Sequence, residues 1–289
     1  MQRRAEQGPG MINIRIISRL MLLWALLTPS VGEAFDHQHA AFTTLLRQHV
    51  TWSRTGHSST VDYAGFLRDH AGLEAYTSQL SAVTEDEFTH WSVAERRAFL
   101  INAYNAFTIE LILTRYPHIT SIRDLGNIVF ASPWKKRFFV LLESPRALDD
   151  VEHQLLRKAP DFDEPRVHFA LNCASLGCPA LRPEAYDPNR LDAQLDDQVV
   201  RFLSDRSRNR FVSTPKAMAS VSPIFRWYAP DFQAGFHGIS SVKQFFARYG
   251  SALADSADDR ARIETGKFVL AYTDYDWTLN VSLSPAKFF

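Results

Sequence analysis

Residues 92–117, SVAERRAFLINAYNAFTIELILTRYP, carry the strongest secondary-structure signal of the sequence. Ser92 followed by Glu95 is a capping box, in which each side chain bonds an otherwise unpaired N–H group at the start of a helix. Apolar residues then cover most of the helix circumference, and a Tyr-Pro pair marks the end. A helix that is apolar on all sides is usually buried. The stretch therefore predicts a buried central helix over about residues 93–115.

Weaker patterns on the C-terminal side of this helix predict further elements. Alternating polarity predicts a half-buried strand from Arg166 to Asn172, and turn residues predict two hairpins, at 143–146 and 213–216. Further helices are expected from a capping Asp149 to about Lys158, and over about residues 240–249, where Gly250 ends the helix. Another should begin at Asp187-Pro188, and its apolar stripe consists of Leu191, Leu195, Val199, Phe202 and Leu203. A last strand is expected over residues 267–273. Because helices outnumber strands and the strands favour hairpins, we expect an α+β fold. Its central helix would pack on a small sheet with hairpins.

Composition narrows the class of protein. The 289 residues are 46% hydrophobic, which is ordinary for a globular chain and argues against disorder. Lys+Arg and Asp+Glu are both 32, so the chain lacks the basic surplus of a general nucleic-acid binder, and no nucleic-acid partner is expected. No repeat or long linker divides the sequence, which favours one domain over residues 35–289.

The N-terminus has the features of a secretory signal. Arg15 and Arg19 precede an apolar run over residues 20–27, and small residues follow up to Ala34. The run is too short for a membrane span, which needs roughly 20 residues. We therefore expect residues 1–34 to be a cleaved signal peptide and the mature chain to be periplasmic or secreted. No transmembrane anchor is expected to remain.

Residues 166–179, RVHFALNCASLGCP, carry the densest set of reactive side chains. Cys173 and Cys178 are far enough apart to form a disulfide, which an oxidising compartment favours. Alternatively, Cys173 is a nucleophilic thiolate activated by a histidine. A zinc site and a pair of inert free thiols are further alternatives, although the Cys spacing is loose for zinc.

If the chain is an enzyme, we expect thiol-dependent hydrolysis or acyl transfer. Cys173 would be the nucleophile, His153 the base, and Glu152 or Asn102 the residue that orients the base. Asn105, His168 and Asp276 would complete the pocket. No metal or cofactor is expected. The alternative is a non-catalytic binding or structural domain in which a Cys173–Cys178 disulfide shapes a loop. The two asparagines would then hold a neighbouring loop through hydrogen bonds to its backbone.

Several stretches together resemble one family, DUF547, a domain of unknown function. They occur in the family's order and cover about residues 60–280: Val61–Tyr63, Phe99–Phe107 (FLINAYNAF), Ser132–Lys135, Leu148–His153 (LDDVEH), Val167–Pro179, Ile224–Tyr228 and Tyr275–Asn280 (YDWTLN). The resemblance implies a bacterial exported member with paired cysteines. It implies no particular reaction.

Overall fold

The computed structural model describes residues 34–126, 132–157 and 163–282, and helices make up most of the secondary structure there. The α-helices are α1 (Ala40–His49), α2 (Tyr63–Arg68), α3 (His70–Ala82), α4 (Glu85–His90), α5 (Val93–Leu113), α6 (Leu191–Ser204), α7 (Ile224–Trp227), α8 (Val242–Arg248), α9 (Gly250–Leu253) and α10 (Ala257–Glu264). A π-helix spans Asp150–Leu156. Short 3-10 helices lie at Ile122–Leu125, Pro133–Lys135, Pro165–Phe169, Asp231–Gln233 and Phe236–Gly238.

Short strands form three small sheets in the described ranges. Strands β1 (Val50–Trp52) and β2 (Ser59–Val61) are antiparallel, as are β3 (Phe139–Leu141) and β4 (Ser144–Arg146). The third sheet has the order β5 (Arg210–Val212), β6 (Met218–Val221) and β7 (Val269–Tyr272), with β5 antiparallel and β7 parallel to β6. The α+β class is thus confirmed, and so are the two hairpins and the last strand.

The predicted signal segment, residues 1–34, lies outside the described residues except for Ala34. Within the described part of the chain, no helix combines the length and the apolar character that a membrane crossing requires.

Helix α5 is the buried central helix that the sequence predicts. The Ser92 side chain accepts from the Glu95 N–H, and the Glu95 carboxylate accepts from the Ser92 N–H, so the capping box is complete. From Ala98 to Leu113 every residue except Glu110 is buried. The helix therefore serves as the core element against which the neighbouring loops are fastened.

The strand predicted over Arg166–Asn172 is wrong. Residues 165–169 form a 3-10 helix, which Pro165 starts and which the Glu164 carboxylate caps by accepting the Arg166 N–H. The whole segment is buried, including the charged Arg166. The alternation of polar and apolar residues therefore does not correspond to a solvent-exposed face and a buried face. Arg166 is tolerated there because its guanidinium donates to three carboxylates, those of Glu164, Asp192 and Asp196.

Several predicted boundaries also move. The first hairpin turns at Leu142 and Glu143, whose φ angles of 52° and 58° suit a two-residue turn. Ser144–Arg146, which were expected in the turn, form strand β4. Helix α6 begins at Leu191 rather than at the Asp-Pro pair, although its predicted apolar stripe is buried. Gly250 follows the C-cap of α8, as expected, and it also begins α9. Asp149 makes no capping bond, and the predicted end at Lys158 lies outside the described residues.

An aromatic core supports the C-terminal half of the domain. Its centre is Phe169, at the end of the Pro165–Phe169 helix, and the rings of α6, α7 and α8 pack around it. The residues that follow Phe169 lead directly to Cys173. This core therefore fixes the start of the cysteine loop.

Candidate functional site

A cavity of about 170 Å³ lies next to the cysteine loop, and aromatic rings form most of its wall. The rings come from α5, from the Pro133–Lys135 helix, from α7 and the residue after it, and from the segment after β7: Tyr104, Trp134, Trp227, Tyr228, Tyr275 and Trp277. The Trp277 ring contacts three of the others, with centroid distances of 5.6 Å to Trp134, 6.1 Å to Trp227 and 4.5 Å to Tyr275. Four of the six rings thus form one contiguous aromatic cluster assembled from distant parts of the chain.

Cys173 and Cys178 form a disulfide in this wall, with their Cα atoms 6.0 Å apart. Ala174 takes a left-handed conformation, φ 60°, which helps the loop to turn back. The Cys173 N–H donates to the Cys178 sulfur, and the Tyr275 hydroxyl lies 3.1 Å from the Cys173 sulfur. Of the alternatives that the sequence left open for the two cysteines, the structure contains the disulfide. Cys173 consequently has no thiol to act as a nucleophile in this state.

A chain of charged and polar groups links the cavity lining to Arg157 and Asp231, which are not part of the lining. The Arg157 guanidinium donates to both oxygens of Asp231, at 2.6 and 2.9 Å, and also to His153 Nδ1, at 2.6 Å. The buried His168 ring contacts Asp231 through Nε2, at 2.7 Å, and its Nδ1 lies 3.9 Å from Glu152 Oε1. Tyr228 stacks on His168 with a centroid distance of 3.8 Å.

The hydrogen bonds set the protonation of these groups. Burial acts to raise the pKa of Asp231, but the hydrogen bonds from His168 and Arg157 outweigh it and lower that pKa to about 2. An ionised Asp231 only accepts, so His168 Nε2 carries the proton, while burial lowers the pKa of His168. Arginine has no acceptor, so His153 Nδ1 must accept from Arg157 and its proton sits on Nε2. With Nδ1 engaged in this way, His153 is poorly placed to act as a base.

Four of the predicted site residues line this cavity: Glu152, His153, His168 and Cys173. Asp276 does not. It lines a second cavity of about 320 Å³ that shares the Cys178 and Tyr275 side of the wall. Among the described residues, no group of three or more His, Cys, Asp or Glu side chains is arranged to hold a metal ion.

Asn102 and Asn105 are not part of the cavity lining. The Asn102 amide donates to the Tyr186 carbonyl and accepts from the Tyr186 N–H. The Asn105 amide does the same for its own loop, donating to the Ala170 carbonyl and accepting from the Asn172 N–H. Both side chains therefore fasten loop backbone to α5, and Asn102 bonds Tyr186 rather than orienting His153.

Sequence reasoning missed Arg157 and Asp231, which join the two histidines, and it did not assign the tryptophans to the site. Arg157 and Asp231 are 74 positions apart, so no local pattern links them. The usable signal was the Trp227-Tyr228 pair followed by Asp231, which places two large rings and a carboxylate within five residues.

Fold and site together define a helix-rich α+β domain with an aromatic cavity beside a disulfide loop. Residues 88–203 match the model of a family described as "Protein of unknown function, DUF547". The matched segment contains α5, the π-helix, the disulfide loop and α6, and it supports the resemblance that the sequence motifs suggest. No curated protein and no solved structure matches the chain.

Proposed function

We propose that this chain is an exported ligand-binding domain whose aromatic cavity binds a small organic molecule. The observation that carries the proposal is the cavity of about 170 Å³, walled by six aromatic rings and a few converging polar groups. Binding sites for small molecules are typically concave, largely apolar and supplied with a small number of placed polar groups. The signal-like N-terminus supports a periplasmic or secreted location.

The disulfide has a structural part in this proposal. It closes the loop that forms one side of the cavity, and the Tyr275 hydroxyl packs against both sulfurs, at 3.1 and 3.3 Å. A closed loop presents one fixed wall to a ligand, which lowers the entropy lost on binding.

A thiol-dependent hydrolase or acyl transferase is the second candidate. It is supported by the presence of Glu152, His153 and Cys173 around the same cavity. Two features count against it: the disulfide removes the nucleophile, and Arg157 occupies His153 Nδ1. This candidate therefore requires reduction of the disulfide and a rearranged histidine. An esterase activity that arises only after mild reduction, and is lost in Cys173→Ser, would restore it.

Tryptophan fluorescence tests the binding function directly, since three of the cavity rings are indoles. The purified protein is titrated with a panel of cationic, neutral and anionic small molecules. We expect a ligand that changes the fluorescence and raises the melting temperature. Trp227→Leu should lower the affinity for that ligand, because Trp227 is 44% exposed and forms part of the wall.

The matched control is Trp91→Phe, which changes an indole that packs on Phe88 and Phe99 outside the cavity. It should leave the affinity unchanged. If no compound in the panel alters either signal, or if Trp227→Leu binds as tightly as the unmodified chain, the cavity is not the binding site.

A further inference from the structure

The cavity lining has an unbalanced charge. Asp149 and Glu152 both line it, whereas none of the described residues in its lining is a lysine or an arginine. Glu152 is buried and accepts a hydrogen bond from Tyr228, so its carboxylate is held in place. Asp149 is half-buried, and burial raises its pKa against the opposing effect of His153, whose Nε2 lies 4.0 Å from Asp149 Oδ1. Lys135 acts on Asp149 from nearby, but its own side chain is exposed.

The two histidines of the lining do not offset these charges. Burial lowers the pKa of His168 and outweighs the opposing effect of the Asp231 carboxylate at Nε2, so this ring is neutral. His153 Nδ1 accepts from Arg157, and its Nε2 lies 4.0 Å from Asp149 Oδ1. The positive charge of Arg157 is itself matched by the two hydrogen bonds to Asp231. The described lining of the cavity therefore contains two carboxylates and no lysine or arginine to neutralise them.

The rings of the wall reinforce the same preference. An aromatic face carries partial negative charge and attracts cations, and tryptophan does so most strongly. Two rings of this wall already hold a cation in this way: Arg123 lies 5.4 Å from the centre of the Trp277 ring, and Arg157 lies 5.1 Å from that of Tyr228. Rings and carboxylates thus favour a ligand that is positively charged and tolerates an apolar surrounding.

We propose that the ligand of this cavity is a small organic cation, an alkylated ammonium whose methyl or methylene groups contact the indoles while Asp149 and Glu152 neutralise its charge. The inference rests on the proposed binding function and names the ligand class for the same site. An inorganic cation is a poorer match, because aromatic rings cannot replace its hydration shell with oxygen ligands.

Two compounds of equal shape, one charged and one neutral, measure what the positive charge of the ligand contributes to its affinity. Choline and 3,3-dimethyl-1-butanol differ in that a carbon replaces the quaternary nitrogen, so the second compound is uncharged. Both are titrated calorimetrically into the full chain with its disulfide intact. Choline should bind at least about tenfold more tightly than its neutral analogue. Glu152→Gln and Asp149→Asn should each reduce that advantage by up to about fivefold.

A second cavity variant and a control variant complete the experiment. Asp149→Asn alters a half-buried side chain and remains informative if Glu152→Gln fails to fold. Glu74→Gln changes an exposed carboxylate on α3, away from the cavity, and should leave both affinities as they are.

The outcomes separate this inference from the binding function. If the neutral analogue binds as tightly as choline, or if only a neutral or anionic compound of the wider panel binds, the cation inference is overturned and the binding function stands. If no compound of any class binds, both fail. A choline advantage that survives unchanged in Glu152→Gln and Asp149→Asn also overturns the inference, because the carboxylates then do not select the ligand.

Discussion

Asn102 and Asn105 lie three residues apart on α5, and each fastens a different loop with two hydrogen bonds. The Tyr186 loop held by Asn102 is not part of the aromatic cavity, whereas the segment held by Asn105 leads directly to Cys173. Replacing each in turn with alanine should therefore destabilise the protein to a similar extent. The cavity should be affected by only one of the two.

The size of the effect follows from burial. Both side chains are nearly inaccessible, at 1% and 2% exposure, so water cannot replace the lost amide. Each substitution removes two hydrogen bonds, each worth about 1 kcal/mol net, and leaves a backbone N–H and a carbonyl poorly satisfied. We expect a loss of about 3 kcal/mol in each variant. With a urea dependence of about 3 kcal/mol per molar for a domain of this size, the midpoint should fall by about 1 M.

Urea unfolding followed by circular dichroism measures the stability, and tryptophan fluorescence of the native state reports on the cavity. Asn105→Ala should change the native fluorescence and Asn102→Ala should not. The control is Asn189→Ala, an exposed asparagine, which should lower the stability by less than about 0.5 kcal/mol. A loss below about 1 kcal/mol in either buried variant would show that these amides do not hold their loops as described.

Three further predictions concern stability. Burial lowers the pKa of His39 from 6.5 to about 4, so the unfolded chain binds the proton first and stability falls as the pH drops below 6.5. Between pH 7 and 5 the free energy of unfolding should fall by about 2 kcal/mol. In urea titrations this loss should disappear in His39→Gln and persist in the exposed control His90→Gln. Replacing both cysteines with serine should lower the free energy of unfolding by about 2 kcal/mol relative to the oxidised protein, as the chain-entropy model predicts. An unchanged stability would mean that the disulfide does not stabilise the fold. Asp231→Asn should cost about 3 kcal/mol in the same assay, because it leaves the Arg157 charge unpaired, and an unchanged midpoint would refute that.

The central helix was predictable because its signals are local. The capping box at Ser92 and the apolar sequence after it depend on neighbours three and four residues apart, and the structure keeps both. The stripe of α6 was predictable for the same reason. The first residue of α6 was not predictable, because proline is found in turns as readily as at the first position of a helix.

The wrong strand shows where such signals stop. In Arg166–Asn172 the polar residues are buried as deeply as the apolar ones, because their partners come from elsewhere in the chain. Arg166 is satisfied by Asp192 and Asp196, and Asn172 donates through its side chain to the Pro179 carbonyl. A pattern of alternating polarity assumes that polar side chains face water, and that assumption fails in this segment.

The site was predictable only in part. The sequence placed Glu152, His153 and Cys173 in one candidate site, and the structure does bring them to one cavity. It could not show that Asp231 would join His168 to Arg157, because that contact depends on long-range packing. The aromatic wall was equally hidden, since its rings come from positions between 104 and 277.

The most direct test of the account is to count the thiols of the purified protein by mass. The protein is treated with iodoacetamide at neutral pH without reductant, first native and then denatured. We expect no label in either state, because Cys173 and Cys178 are the two cysteines of the chain and are joined to each other. A rapid single label on Cys173 in the native protein would contradict it. That result would mean that the cavity contains a reactive thiol rather than a closed disulfide wall.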